Sequence, residues 1–154
     1  MSTSNPNVGH INVTITKNSL GQVLVNLQFD YYTDFNVAFS TFIINVPSYE
    51  NDKDFQKELL RSTINLCKIK QGVMGNFFIK LFLENFEKSS DYKMECPFKK
   101  GKSSIKNMEI TDIPNYLFQS FKFIATVTTK VKTPNNKNLV HLYTIKAYGE
   151  RIMN

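Results

Sequence analysis

The sequence predicts a mainly β protein, a β-sandwich of about eight strands with one inserted amphipathic helix. Three observations lead to this prediction. Several segments alternate apolar and polar residues with a period of two, as strands with one buried face do. Turn residues separate these segments at short intervals. One stretch, at about 73–88, instead repeats its apolar residues every three or four positions.

The N-terminal third is predicted to contain three strands. Residues 10–17, 23–31 and 35–46 alternate, with a turn around Gly21 and a stop at Pro47. The third segment carries apolar side chains on both faces. We therefore expect it to be buried on both faces or to line a cavity.

The middle of the chain is predicted to change from strand to helix. Residues 55–67 are ambiguous, because FQKELLR suits a helix and STINLC suits a strand, and we favour a strand by residue 62. The helix at 73–88 presents a single apolar stripe. The stripe consists of Met74, Phe77, Phe78, Leu81, Phe82 and Phe86. Packing against a sheet would explain this stripe, and so would a lid or wall over an apolar pocket.

The last part of the chain is predicted to return to strands. Residues 91–96 and 102–111 form short strands around the turn CPFKKG. A long hairpin follows, 121–132 and 139–148, around the turn PNNKN at 134–138. The 154 residues therefore make one domain, 1–154, in which we expect only 1–9 to be flexible.

Composition adds an aromatic surplus and a positive charge. Thirteen Phe and seven Tyr, with no Trp, supply either a very aromatic core or the lining of a cavity. The net charge of +6 raises the possibility of nucleic-acid binding. The lysines are scattered, however, apart from a group at 99–106, and no nucleic-acid motif is present. We expect no nucleic-acid partner and at most peripheral contact with a membrane.

The two cysteines, Cys67 and Cys96, leave two alternatives open. They are free thiols in a cytosolic core, or they form a disulfide that encloses the helix. The first ten residues contain no hydrophobic leader, which fits a cytosolic protein or a mature secreted chain. Asn12 begins an Asn-Val-Thr sequon, a candidate glycosylation site in a secreted protein.

A search for catalytic residues finds little. His10 lies near the N-terminus and His141 lies within a strand, where a structural role is more common than general-base catalysis. Glu84 and Glu87 lie opposite the Phe stripe, on the solvated face of the helix. No catalytic motif or metal-ligand cluster is found. We expect neither enzymatic activity nor a cofactor nor a metal.

From Asn65 to Ile152 the sequence resembles an insect family of small secreted proteins of unknown function. It is also similar to chemosensory proteins of the CheA/CheB type. The resemblance is carried by NLCKIKQG at 65–72, LENFEKSSDYKMECPF at 83–98, and Gly101 followed by a strand that contains Asn107. The family is in turn similar to the ML lipid-recognition proteins, which include the ganglioside activator. CPFKKGKSSIKN, the Pro114 loop and the closing hairpin carry that likeness.

The resemblance implies an immunoglobulin-like sandwich, secretion, a Cys67–Cys96 disulfide, and carriage of a lipid or another apolar molecule without chemistry. Together with the inward Phe residues it defines a candidate site. The expected cavity lining is Phe39, Ile43, Phe78, Phe82, Phe86, Phe123, Val127 and Tyr143. Lys99, Lys100 and Lys102 are expected at the cavity mouth. The alternative function is a secreted chemosensory or immune-type interaction module with a solid core, which would bind a receptor protein.

Overall fold

The computed structural model describes residues 1–49, 53–71, 84, 86–90, 95–109 and 121–151. These residues form eight strands and a 3₁₀ helix. The strands are β1 Ser2–Ser4, β2 Gly9–Lys17, β3 Val23–Tyr31, β4 Val37–Val46, β5 Lys57–Asn65, β6 Gly101–Glu109, β7 Phe121–Lys132 and β8 Val140–Arg151, and the 3₁₀ helix is Leu66–Gln71. Residues 84 and 86–89 are α-helical and belong to the predicted helix, whose remaining residues lie outside the described part.

The strands form two antiparallel sheets. One has five strands in the order β1-β8-β7-β4-β5, and the other has three in the order β2-β3-β6. The chain passes from one sheet to the other four times, from β1 to β2, from β3 to β4, from β5 to β6 and from β6 to β7. The neighbours β3 and β6 of one sheet are therefore each followed in the chain by one of the neighbours β4 and β7 of the other. Strands β2, β3 and β6 oppose β4, β7 and β8, as the A, B, E and C, F, G strands do in immunoglobulin domains. The predicted fold is therefore confirmed.

The core lies between the sheets and is largely aliphatic and aromatic. Its buried members are Val8, Ile11, Val25, Leu27, Phe29, Tyr31, Phe35, Ala38, Ile64, Phe86, Phe98, Ile105, Met108, Val131 and Leu142. The helical segment contributes Phe86, which is 6% exposed. The next described residue after this segment, Ser90, forms an isolated bridge with Ile105 of β6. The segment therefore lies beside the outer edge of the three-stranded sheet.

The structure bears on three local predictions. Of the ambiguous segment 55–67, residues Lys57–Asn65 form β5, which agrees with the preference for a strand by residue 62 and starts it earlier, because pairing with β4 satisfies the backbone groups. In the N-terminal stretch 1–9, for which we expect flexibility, β1 pairs with β8, and Val8 is 6% exposed. Of the predicted strand at 91–96, residues 91–94 lie outside the described part, and 95–96 are not in a strand.

The two sheets are fastened together at one end. Cys67 follows β5 of the larger sheet, Cys96 precedes β6 of the smaller one, and the two form a disulfide with Cα atoms 5.3 Å apart. Beside it, Phe35 and Phe98 exchange two backbone hydrogen bonds of 3.0 and 2.8 Å, and their ring centroids lie 5.1 Å apart. The predicted disulfide is thus present, and it links one sheet to the other.

Candidate functional site

Near the disulfide, the inward face of the five-stranded sheet is closed to solvent. Strand alternation places Ala38 and Ser40 of β4 beside Val131 and Thr129 of β7. These four residues and Leu142 of β8 are at most 2% exposed. We call this end, defined by these five residues, the closed half of the sandwich.

Further along the same strands, the same face becomes accessible. Phe42 pairs with Val127, which pairs with Ile145; beyond them Ile44 pairs with Ala125. All five are apolar, all point inward by alternation, and all are only half-buried. We call the end of the sandwich defined by these five residues the open half.

The three-stranded sheet shows the same gradient along β2. Its inward residues change from 1% exposed at Ile11 to half-buried at Val13 and 54% exposed at Ile15. The start of β2 lies against the closed half, since a Cβ atom on Gly9 would lie 3.3 Å from the Leu142 side chain. Its far end therefore lies toward the open half. The five-stranded sheet and the edge strand β2 thus expose apolar inner surface at the same end. Val25 of β3, which pairs with Ile15, and Met108 of β6, which pairs with Val25, remain buried.

Some of the predicted lining residues face the interior of the sandwich, and others lie on its outer face. Phe123, Val127 and Tyr143 face inward, whereas Phe39 and Ile43 have the opposite parity on β4 and lie on the outer face of the five-stranded sheet. The register thus excludes these two from an inter-sheet cavity. On the outer face Phe39 and Ile43 are half-buried.

The helix residues predicted to line the cavity give a mixed result. Phe86 is buried in the core cluster. Phe78 and Phe82 lie outside the described residues. The structure adds three inward residues that the sequence interpretation missed, Phe42, Ile44 and Ile145. The alternation of the strands was the sequence feature that could have identified them. On β4 it was ambiguous, because apolar residues occur on both faces of that strand.

A row of hydroxyl groups crosses the inner face where the closed half meets the open half, and two of its members, Ser40 and Thr129, belong to the closed half. Ser40, Thr129 and Tyr143 lie side by side on β4, β7 and β8. The Ser40 and Thr129 hydroxyls are 2.6 Å apart, and Tyr143 is hydrogen-bonded to Thr129. Burial raises the pKa of Tyr143 above the ordinary 10.0, although the bond with Thr129 acts in the opposite direction. The neutral row can stabilise a polar atom at the inner end of an apolar ligand.

A second polar atom faces the interior from the smaller sheet. Ser103 pairs with the inward-facing Phe29, and within the described part of the chain its hydroxyl is buried without a hydrogen-bond partner. The ring of Phe29 lies 6.0 Å from that of Tyr143, centroid to centroid. The interior therefore combines an apolar wall with a few hydroxyl groups, a composition typical of small-molecule sites.

The lysines predicted at the mouth lie at the opposite end. β6 begins with Gly101, which pairs with Tyr31. Tyr31 in turn pairs with Gly9, which lies beside Leu142 of the closed half. Lys99 forms an ion pair of 3.2 Å with Asp34, and the Lys100 amide donates a 2.7 Å hydrogen bond to the same carboxylate. The amide of Lys100 and then Lys99 lower the pKa of Asp34 below the ordinary 3.8. Lys102 is exposed nearby, across from Asp30.

Other candidate residues lie on outer surfaces. His141 Nε2 lies 2.9 Å from Thr144 Oγ1 on the outer face of the five-stranded sheet, and His10 is exposed on β2. Asn12 is also exposed on β2. A search of the described residues for three or more clustered His, Cys, Asp or Glu side chains finds no such group. No helix in that part of the chain is long and apolar enough to span a membrane.

Comparison with known protein families finds a match. A family model described as a protein of unknown function (DUF1091) matches residues 37–124, more than half of the chain. The chain belongs to this family. The DUF1091 match runs from the start of β4 into β7, so it includes both cysteines and the inward-facing residues of β4, among them Ser40 and Phe42. No curated protein matches the chain significantly.

Proposed function

We propose that this DUF1091 protein binds a lipid or another apolar small molecule in the open half of the sandwich, and carries or presents it without chemical change. The observation that supports this most is the exposure of inward apolar residues at one end. A surface that meets only water would favour polar residues there, yet Phe42, Ile44, Val127 and Ile145 are apolar. Such a patch is typical of a binding site.

The expected affinity follows from burial. Each buried methylene group contributes about 0.8 kcal/mol, so ten would contribute about 8 kcal/mol before the cost of ordering the ligand. The fastening of the sheets at the disulfide supports entry at the other end. There the inner residues of both sheets, such as Val127 and Ile15, are accessible without disturbing the closed half.

Secretion is part of this proposal. The Cys67–Cys96 disulfide is consistent with an oxidising compartment, and the exposed Asn12 would be accessible to glycosylation. The resemblance to insect chemosensory proteins and to ML lipid carriers adds the expectation of an extracellular lipid or a similar apolar signal. We expect neither catalysis nor nucleic-acid binding.

A second candidate, an interaction module that binds a receptor protein, is favoured by the β2–β3 hairpin. Leu20 at its tip is 81% exposed, and Ile15 and Val23 on the flanking strands are 54% and 37% exposed. This apolar hairpin would suit a protein partner. In the leading proposal the same residues form one rim of the ligand entrance.

Two phenylalanines on β4 provide a matched test. Phe42 faces inward in the open half, and Phe39 faces outward three residues earlier. Binding of a fluorescent fatty acid to the purified chain is measured for Phe42→Ala and Phe39→Ala. Removing about 60 Å² of contact at Phe42 should cost about 1.5 kcal/mol, or about tenfold in Kd, whereas Phe39→Ala should leave Kd nearly unchanged.

Thermal unfolding of both variants confirms that each is folded at the assay temperature. Equal weakening by the two substitutions would refute the assignment of the inner face. Absence of probe binding in the folded wild-type protein, together with saturable binding of a protein partner that Leu20→Ser abolishes, would favour the interaction module instead.

A further inference from the structure

The outer face of the five-stranded sheet carries a continuous row of threonines. Thr3 pairs with Thr144, Thr144 with Thr128, Thr128 with Thr41, and Thr41 with Thr63. Each of the five strands therefore contributes one member. Because neighbouring strands lie about 4.8 Å apart, this threonine row extends for about 19 Å across the sheet.

The hydroxyl groups of the row are partly paired with one another. The Oγ1 atoms of Thr41 and Thr63 are 2.9 Å apart, and those of Thr128 and Thr144 are 3.1 Å apart. Each hydroxyl has one donor and two acceptor positions, so these pairs retain hydrogen-bonding capacity toward a ligand, although on Thr144 the contact with His141 Nε2 leaves one position. Thr3 and Thr63 are exposed, and the three members between them are half-buried.

Threonines that pair across strands also stabilise a sheet on their own. The charges around the row indicate more than stability. Lys130 lies two residues from Thr128 on one side of the row, and Lys146 lies two residues from Thr144 on the other side. Lys132 lies two residues beyond Lys130 on β7, on the same side of the row. All three lysines are exposed.

The acidic residues of this face are already paired. Glu58 forms a 2.6 Å ion pair with Arg61, and Glu150 lies 4.0 Å from Lys122. Among the described residues, Lys130, Lys132 and Lys146 have no carboxylate partner. The face therefore presents hydroxyl groups in a straight row, with uncompensated positive charge on both sides.

We propose that this outer face binds a linear sulfated polysaccharide whose chain lies along the threonine row. Sulfate groups would meet the flanking lysines, and the sugar hydroxyls would exchange hydrogen bonds with the threonines. The site is on the opposite side of the sheet from the open half. The inference is therefore independent of the proposed ligand function.

Two other polyanions suit the face less well. A bilayer surface favours apolar side chains that project beyond the lysines, whereas Phe39 and Ile43 on this face are half-buried. Single-stranded nucleic acid favours several exposed aromatic rings on which successive bases stack, whereas the exposed ring of this face, Tyr148, lies four residues from Thr144 and packs edge-on against Phe55. A hydroxyl-rich anionic chain matches the described row more closely than either.

The test uses heparin as the sulfated polysaccharide, with Kd measured by titration calorimetry in 0.15 M salt. The variant Lys130→Gln/Lys132→Gln/Lys146→Gln removes the three uncompensated charges. It should raise Kd at least tenfold. Thr128→Val/Thr144→Val keeps the shape and strand preference of the side chains but removes two hydroxyls, and it should raise Kd about three- to tenfold.

A charge-matched control carries Lys99→Gln/Lys102→Gln/Lys106→Gln, which removes three lysines near or on β6 in the other sheet. It should change Kd less than threefold. Equal loss in the two triple variants would overturn the proposal, because binding would then follow net charge alone. So would failure of the folded wild-type chain to bind heparin, or tighter binding to phosphatidylserine vesicles or to duplex DNA.

Discussion

The same substitution at two positions of β7 tests whether the open half contains space that the protein does not fill. Val127 and Val131 both point inward and lie four residues apart. Val131 is 0% exposed within the core cluster, whereas Val127 is half-buried beside Phe42 and Ile145. Phenylalanine at each position adds the same side-chain volume and keeps a strong preference for strand structure.

The expected magnitudes differ because the surroundings differ. Overpacking a closed core typically costs about 1–3 kcal/mol, so Val131→Phe should lower the free energy of unfolding by about that amount. For a chain of this size, 1 kcal/mol corresponds to about 2–4 °C in Tm, which predicts a fall of about 2–12 °C. Val127→Phe should change Tm by less than about 3 °C, since its ring can occupy the open half.

Calorimetry gives Tm, and titration with a fluorescent fatty acid gives affinity. Val127→Phe should lower the affinity by filling the site. For Val127→Phe the loss of binding free energy should exceed the loss of unfolding free energy. For Val131→Phe the loss of unfolding free energy should be the larger of the two. If both variants showed equal falls in Tm and in affinity, the division into a closed and an open half would be refuted.

Three further predictions concern the closed half and its end. Thr129→Val should cost about 1–3 kcal/mol in chemical denaturation by leaving the Ser40 and Tyr143 hydroxyls without their partner, and adding Ser40→Ala should restore the part due to Ser40; equal stability of single and double variants would contradict this. Cys67→Ser/Cys96→Ser should cost about 3–4 kcal/mol for a separation of 29 residues, measured by urea unfolding, and no loss would mean that the bridge does not constrain the unfolded chain. Because hydrogen bonds lower the pKa of Asp34 in the folded state, its stabilising effect is full above the unfolded value of 3.8 and is lost as pH falls through the folded pKa. Asp34→Asn should reduce the acid dependence of unfolding in that range, and an unchanged pH profile would refute the contact.

Strand alternation predicted most of the fold. The segments at 10–17 and 23–31 have a single apolar face, and the structure contains them as β2 and β3. The segment at 35–46 is apolar on both faces, so its alternation could not identify the inner one. The pairing with neighbouring strands identifies the inner face: the small residues Ala38 and Ser40 are buried in the closed half, and the larger Phe39 lies on the outer face.

The basic group at 99–102 shows a second limit. Its sequence indicates a charged turn, but the turn's place in the sandwich depends on pairing between residues far apart in the chain. Gly101 pairs with Tyr31, and Asp34 holds Lys99 and the Lys100 amide at the closed end. The threonine row escaped detection for the same reason, since its five members come from five separate segments and become neighbours only through the sheet register.

Native mass spectrometry of the purified, folded chain after incubation with a panel of fatty acids, sterols and phospholipids tests the central claim most directly. We predict a one-to-one complex with at least one of these lipids, diminished by Val127→Phe and retained by Phe39→Ala. A chain that stays ligand-free with every lipid, or whose complexes are equally abundant in both variants, would contradict an apolar site in the open half.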